Sequence, residues 1–228
     1  KDDRITTGNG DNTINVGDGK NQINSGSGSD TITAGSGDDR IYAGEGANTI
    51  SAGDGKNQIK SGSSNDTIVS GSGDDKIDTG EGDNHVSAGD GRNQIKTGGG
   101  DDTVSTGLGA DRIDTGDGND SIITGDGNDR VKSGSGNDTI ISGLGDNNID
   151  AGVGDDHVTV GNGRNQIKTG EGNDIISTGS GADKIDGGAG NDSISAGDGN
   201  NQIKSGTGND TIISGLGDDK IYTGEGDN

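Results

Sequence analysis

One residue role recurs every nine positions along the whole length of this chain. The unit reads small–Gly–x–Gly–x–Asp/Asn–x–Ile/Val–x, and it keeps register across 228 residues. Twenty-four complete units run from Thr7 to Tyr222, with partial units at residues 1–6 and 223–228. Position two is Gly in all 25 occurrences, and position four in 24 of 25, the exception being Ser64. Position eight is Ile or Val in all 25. A nonapeptide cannot bury its own apolar residue alone, so a strict period of this kind calls for units stacked into a solenoid.

The Ile or Val at position eight has mostly polar neighbours on both sides, as in Thr31-Ile32-Thr33, Gln58-Ile59-Lys60 and Lys184-Ile185-Asp186. Alternation around one β-branched residue predicts a very short, half-buried strand. The preceding Gly-x-Gly-x-Asp is turn material, because Gly takes positive φ freely and Asp or Asn caps its own turn. Each unit is one turn plus one strand, and two units, 18 residues, return the chain over itself. A charge series tests that stacking. Position nine of alternate units runs Lys60, Asp78, Lys96, Asp114, Lys132, Asp150, Lys168, Asp186, Lys204, opposite in sign at each 18-residue step. Stacked strands lie about 4.8 Å apart, where opposite charges attract and like charges repel. A second period of 36 residues is visible in Asp-Gly-Lys/Arg/Asn-Asn-Gln-Ile beginning at Asp18, Asp54, Asp90 and Asp198.

The expected fold is therefore all-β. It is a right-handed parallel β-roll (a β-solenoid) of two short-stranded sheets with 18 residues per coil, about 12 to 13 coils, in one continuous array over residues 1–228 without capping units. Its core is thin. Two Ile-sized side chains per coil contribute roughly 2–3 kcal/mol each, whereas ordering 18 residues costs on the order of 1.5 kcal/mol each. Burial loses that comparison, so something else must hold the turns. Hydrophobic residues are 21%, aromatics 1%, and net charge is −23. That balance makes cations the natural partners and nucleic acid an improbable one. Cysteine is absent, which removes disulfides and thiol chemistry. No apolar run is long enough for a signal core or a membrane span.

Stretches such as Gly134-Ser135-Gly136-Asn137-Asp138-Thr139-Ile140 and Gly206-Thr207-Gly208-Asn209-Asp210-Thr211-Ile212 resemble the RTX (repeats-in-toxin) nonapeptide, Gly-Gly-x-Gly-x-Asp-x-apolar-x. The resemblance covers the whole chain. It implies that position-six Asp side chains, with backbone carbonyls around the glycines, bind Ca²⁺ between successive coils, in rows along both edges of the roll. On that footing the ligands are Asp30, Asp39, Asp66, Asp75, Asp102, Asp111, Asp120, Asp129, Asp138, Asp156, Asp174, Asp183, Asp192, Asp210 and Asp219. Weaker, uncharged ligands would be Asn12, Asn21, Asn48, Asn57, Asn84, Asn93, Asn147, Asn165 and Asn201, with Asn228 in the same position. The chain departs from the family pattern in two ways. Position six holds Asn in 10 of 26 cases, and the family's first Gly is Thr, Ser, Ala or Val nearly everywhere, Gly187 being the only Gly there. Sorted by edge, Asp102, Asp120, Asp138, Asp156, Asp174, Asp192 and Asp210 follow without interruption, which predicts the strongest Ca²⁺ row. On the other edge Asn21, Asp39, Asn57, Asp75, Asn93 and Asp111 alternate. The bland alternative is that these side chains only cap turns, without metal.

The two outer faces differ. One carries the Lys/Asp series. The other is uncharged from Thr13 to Ile213 at positions seven and nine, rich in Thr and Ser, with Val69, Ile123, Ile141, Ile175 and Ile213 among them. Such a face suits ordinary exposed strands, lateral association with another roll, or ice binding. His85 and His157, 72 residues apart on that face, have no second ligand in reach and read as surface residues. No nucleophile–base arrangement is present, so no enzyme activity is expected. The favoured function is a calcium-stabilised extracellular structural or adhesive module, part of a long fibre, surface layer or adhesin stalk, associating end to end or laterally. The alternative is the calcium-triggered folding and secretion segment of a secreted toxin or hydrolase. The resemblance implies a bacterial, extracellular or cell-surface location reached by type I secretion, without membrane insertion.

Overall fold

The computed structural model describes residues 1–227; Asn228 lies outside them. All regular structure among the described residues is β-strand. The chain forms two compact units, residues 1–116 and 117–228. In each, successive strands alternate between two parallel sheets, and paired residues are 18 apart. The β-solenoid of two parallel sheets predicted from the repeat is the fold found.

In residues 1–116, one sheet is built from strands such as Arg40–Tyr42, Gln58–Lys60 and Lys76–Asp78, the other from Thr31–Ala34, Thr49–Gly53 and Thr67–Ser70. Ile41 pairs with Ile59 and Ile59 with Ile77, so the position-eight residues stack directly over one another. Two small irregularities, at Asn15/Gly17 and Ser51/Gly53, interrupt the second sheet where the chain enters a turn. In residues 117–228 the pattern repeats, but strands such as Asn148–Val153, Gln166–Glu171 and Lys184–Ala189 run on into the turn, with Gly152 paired to both Gly134 and Gly170.

Position eight points inward in both sheets and is buried almost throughout, joined by position one: Ala34, Ala43, Ala52, Ala88, Ala151 and Ala196, or a Ser or Thr. Most of the Ser and Thr hydroxyls are hydrogen-bonded there, Ser70 and Ser205 being exceptions. Ser25 Oγ donates to Ala43 O at 3.0 Å, Ser133 Oγ to Ala151 O at 2.9 Å, Thr169 Oγ1 to Gly187 O at 2.8 Å and Thr178 Oγ1 to Ala196 O at 2.8 Å. A buried hydroxyl with a fixed acceptor avoids the desolvation cost of an unpaired one. This ladder explains why position one is so often Ser or Thr here.

The sign-alternating series stands in vertical register, with Asp150 between Lys132 and Lys168 and Asp186 between Lys168 and Lys204. Lys204 Nζ lies 3.3 Å from Asp186 Oδ1 and Lys60 Nζ 3.8 Å from Asp78 Oδ2. These pairs are exposed, and exposed pairs contribute little to stability. Their value is in register, since a slip of one coil would set like charges side by side.

The 36-residue pattern has a hydrogen-bonding cause. At position three of one edge, Asp18 Oδ1 accepts the N–H of Ser36, Asp54 that of Ser72, Asp90 that of Leu108, Asp126 that of Leu144, and Asp198 that of Leu216, all at 2.7–2.8 Å. One coil supplies the cap and the next receives it, so a carboxylate or amide is wanted only in alternate coils.

The one turn that breaks the Gly rule does so at a cost. Ser64 has φ of 95°, in a region where a Cβ is strained. Ser64→Gly is expected to stabilise residues 1–116 by roughly 1 kcal/mol, visible as a raised chemical-denaturation midpoint; a lowered midpoint would contradict this.

Candidate metal sites

The turns carry two rows of side chains with opposite hydrogen-bond directions, an inner one that is Asp or Asn throughout and an outer one that is Asp or Asn in most turns. The outer row, at position five, accepts from the following coil: Asn137 Oδ1 takes the N–H of Asp155, and Asp155 Oδ1 that of Asn173. The inner row, at position six, accepts from the preceding coil. Asp120 N–H donates to Asp138 Oδ1 at 2.8 Å, Asp138 to Asp156 at 2.9 Å, Asp156 to Asp174 at 2.8 Å, Asp174 to Asp192 at 3.0 Å and Asp192 to Asp210 at 3.0 Å. Within residues 117–228 this is the uninterrupted carboxylate row expected from the sequence.

On the other edge of that unit the inner row mixes types: Asp129 N–H meets Asn147 Oδ1, Asn147 meets Asn165, Asn165 meets Asp183, Asp183 meets Asn201, and Asn201 meets Asp219. In residues 1–116 both edges alternate. Asn12, Asp30, Asn48, Asp66, Asn84 and Asp102 follow along one, and Asn21, Asp39, Asn57, Asp75, Asn93 and Asp111 along the other. Among the described residues, the Asp and Asn side chains singled out as ligands face inward and are buried, except Asn12 and Asp219, which are half-buried.

One oxygen of each inner carboxylate is thus committed. The other is the anomaly. Oδ2 of Asp156 and of Asp192 is buried and receives no hydrogen bond, and the same holds for Oδ2 of Asp138 and Asp174, and of Asp30, Asp39, Asp66 and Asp75 in the first unit. Asp156 and Asp192 are 1% and 2% exposed. Burial is the first cause of a rise in the pKa of Asp156 to about 7, against the N–H of Asp138, with the Asp138 and Asp174 carboxylates adding to it. Burial likewise lifts Asp192 to about 6. These are the turns whose position one is Ala151 or Gly187, with no hydroxyl. Burial raises Asp138 and Asp174 as well; the Ser133 and Thr169 hydroxyls stand nearby, but each has one proton and gives it to a backbone carbonyl, Ala151 O or Gly187 O.

The exposed carboxylates at positions three and five behave oppositely. Asp18 and Asp54 are held below the ordinary range by the N–H groups of Ser36 and Ser72, and Asp38 and Asp74 first by their ion pairs with Lys20 and Lys56. Outer anions are satisfied as anions; inner ones are not. A buried carboxylate oxygen without a donor is costly unless a cation or proton joins it.

The surroundings of that oxygen decide which cation fits. No three His, Cys, Asp or Glu side chains converge among the described residues, so a soft or imidazole-seeking metal has no ligand set. What the turn offers is carboxylate and backbone carbonyl oxygen. A Cβ placed on Gly187 would stand 2.5 Å from Asp192 Oδ2 and 2.9 Å from Ser205 O, which puts the orphan oxygen and the next coil's carbonyl about one small space. Hard oxygen donors of mixed charge suit Ca²⁺, which accepts six to eight of them in flexible geometry. The residues present fit that ion.

A match to a family model described as RTX calcium-binding nonapeptide repeat, taken four copies at a time, recurs along the chain over residues 1–32, 24–59, 60–95, 87–122, 96–131, 123–158, 132–167, 159–194, 168–203 and 195–228. The chain belongs to the RTX calcium-binding repeat family. Membership implies Ca²⁺ as the ligand, in agreement with the oxygen-only turns. No curated protein matches this RTX chain. Sequence reasoning located the RTX Asp positions from the motif, but neither the hydroxyl ladder at position one nor the outer Asx row. Only the excess of Ser and Thr at position one and of Asp and Asn at position five hinted at them.

The pKa shifts set a pH dependence for the metal-free fold. Asp156 and Asp192 bind protons more tightly folded, at about 7 and about 6, than unfolded, near 3.9. The folded state then carries more protons across that interval, so its stability rises as pH falls from 7 towards 4. In chelator, circular dichroism is expected to show more β structure at pH 5 than at pH 7.5. Calcium affinity should move the other way, because protons compete for the same oxygens. Equal β content at both pH values would contradict the burial of these groups.

Proposed function

We propose that this chain is a calcium-stabilised extracellular structural or adhesive module, a stretch of fibre, surface layer or adhesin stalk in which Ca²⁺ ions line both edges. The observation that carries this reading is the repeated buried Oδ2, at Asp138, Asp156, Asp174 and Asp192 above all, that meets no donor. Each would be neutralised by an ion held with the glycine-turn carbonyls. When bound, calcium supplies charge neutralisation and cross-linking of coils rather than reaction chemistry. The protein's own residues orient the carboxylates through the inner N–H ladder and pin the coils through hydroxyls and outer Asx caps. The role is non-catalytic; His85 and His157 both lie exposed on outer faces.

Self-association has its own support. Val69, Ile123, Ile141, Ile175 and Ile213 are 44–63% exposed on the uncharged sheets, and Ile123 stands directly over Ile141. Electron microscopy of the chain with calcium and with chelator tests the fibre. Filaments that dissolve in chelator are expected; monodisperse particles under all conditions would overturn it. The orphan oxygens favour one second reading, a calcium-triggered folding segment of a larger secreted protein, because a fold that needs a cation at neutral pH is a fold that calcium can switch on. That reading predicts calcium-dependent folding without filaments.

A further inference from the structure

The Asn turns are not diluted versions of the Asp turns. In both, Oδ1 accepts an N–H from the preceding coil: Asp3 to Asn21 at 3.0 Å, Asp30 to Asn48 at 3.1 Å and Asp66 to Asn84 at 3.1 Å. A donor at that distance fixes the amide orientation, since only the oxygen can accept. The amide nitrogen is thereby turned to the place that the orphan Oδ2 takes in an Asp turn.

What surrounds it there is oxygen. Asn12 Nδ2 lies 3.1 Å from Gly8 O, 2.6 Å from Gly10 O, 3.3 Å from Ser25 O of the next coil and 3.0 Å from Asp30 Oδ1. Asn48 Nδ2 repeats this with Gly44 O, Gly46 O and Ser61 O at 3.3, 2.7 and 3.3 Å. Asn21, Asn57, Asn147, Asn165 and Asn201 each reach the same two turn carbonyls, at positions two and four.

We infer that the Asn turns are closed to calcium, because the Asn amide nitrogen itself occupies the space an ion would take between the turn carbonyls. The inference rests on the calcium reading of the Asp turns and divides the array into two turn types. An Asp turn is an anion facing carbonyls and requires a cation. An Asn turn is neutral and brings its own donor. An ion could enter an Asn turn only by expelling Nδ2, and a side chain that swung out would strand the buried N–H that Oδ1 receives. Calcium capacity is then set by the number of Asp turns, and Asn is a substitute for the ion rather than a weak ligand for it. In residues 1–116, where the types alternate, metal-free turns interleave with metal-requiring ones; the row from Asp120 to Asp210 has no such relief.

Asp156→Asn and Asp192→Asn, singly and together, test this with equilibrium dialysis against calcium and circular dichroism in chelator at pH 7.5. Bound calcium at saturation is expected to fall by about one ion per substitution, and the β-sheet signal kept in chelator to rise. Asn48→Asp should do the reverse, adding about one ion and lowering stability in chelator. Unchanged stoichiometry with weakened affinity would make Asn a ligand and overturn the inference. A wild-type chain that binds no calcium would sink the metal reading instead. The spectra in chelator would still decide the inference, since no gain in β-sheet signal for either Asp→Asn variant would overturn it.

Discussion

Chelation at neutral pH is expected to erase most of the β-sheet signal of residues 117–228, and excess calcium to restore it. The reasoning is a comparison of magnitudes. Asp138, Asp156, Asp174 and Asp192 each place a buried oxygen where no donor reaches it. Leaving a buried charge uncompensated costs on the order of several kcal/mol, and folded domains are stable by only about 5–15 kcal/mol in total. A few such groups exceed what a one-Ile-per-strand core can hold. Magnesium should restore the signal poorly, because it demands compact octahedral geometry and gives up its water reluctantly. Far-ultraviolet circular dichroism in chelator, then with each ion, is the measurement. A spectrum unchanged by chelator at pH 7.5 would show that the carboxylates are satisfied in some other way. Residues 1–116, with Asn in every second turn, are expected to lose less.

The second large effect is steric. Gly206 has φ of +106°, and a Cβ there would stand 1.6 Å from the carbonyl oxygen of Gly188 in the coil before. Neither backbone can yield, because Gly206 and Gly188 are paired in the parallel ladder. Gly206→Ala combines a left-handed backbone with a collision against backbone, and is expected to cost more than about 3 kcal/mol. The melting temperature with saturating calcium would report it, with Ser193→Ala on the exposed strand face as the comparison. A Gly206→Ala chain melting within a few degrees of the wild type would mean that coils can separate locally without loss.

Much of this was legible in the sequence because the repeat leaves few choices. A β-branched residue at position eight beside paired glycines admits one strand and one turn, and the Lys60-to-Lys204 series by itself demands an 18-residue stack. A metal-binding role for the position-six Asp residues could be expected only through the family motif, since carboxylates at turns equally suit capping. Other features were hidden because they depend on direction rather than spacing. Nothing in the letters says that Thr169 Oγ1 turns to the next coil's carbonyl, or that Asn48 presents its nitrogen rather than its oxygen to the glycines. The 36-residue pattern was visible, but its cause, a cap given by Asp54 and received by Ser72, required the hydrogen bonds.

That alternation of giving and receiving caps bears on how a gene of this kind can lengthen. Duplicating nine residues would carry every following unit to the opposite sheet and edge, exchanging the charged face for the uncharged one. Duplicating 18 would keep faces and edges but set two cap-giving coils, or two cap-receiving ones, in succession. Only duplication of 36 residues preserves all three, so the heritable module is four nonapeptides long, and copies added or lost in steps of that size should be tolerated best.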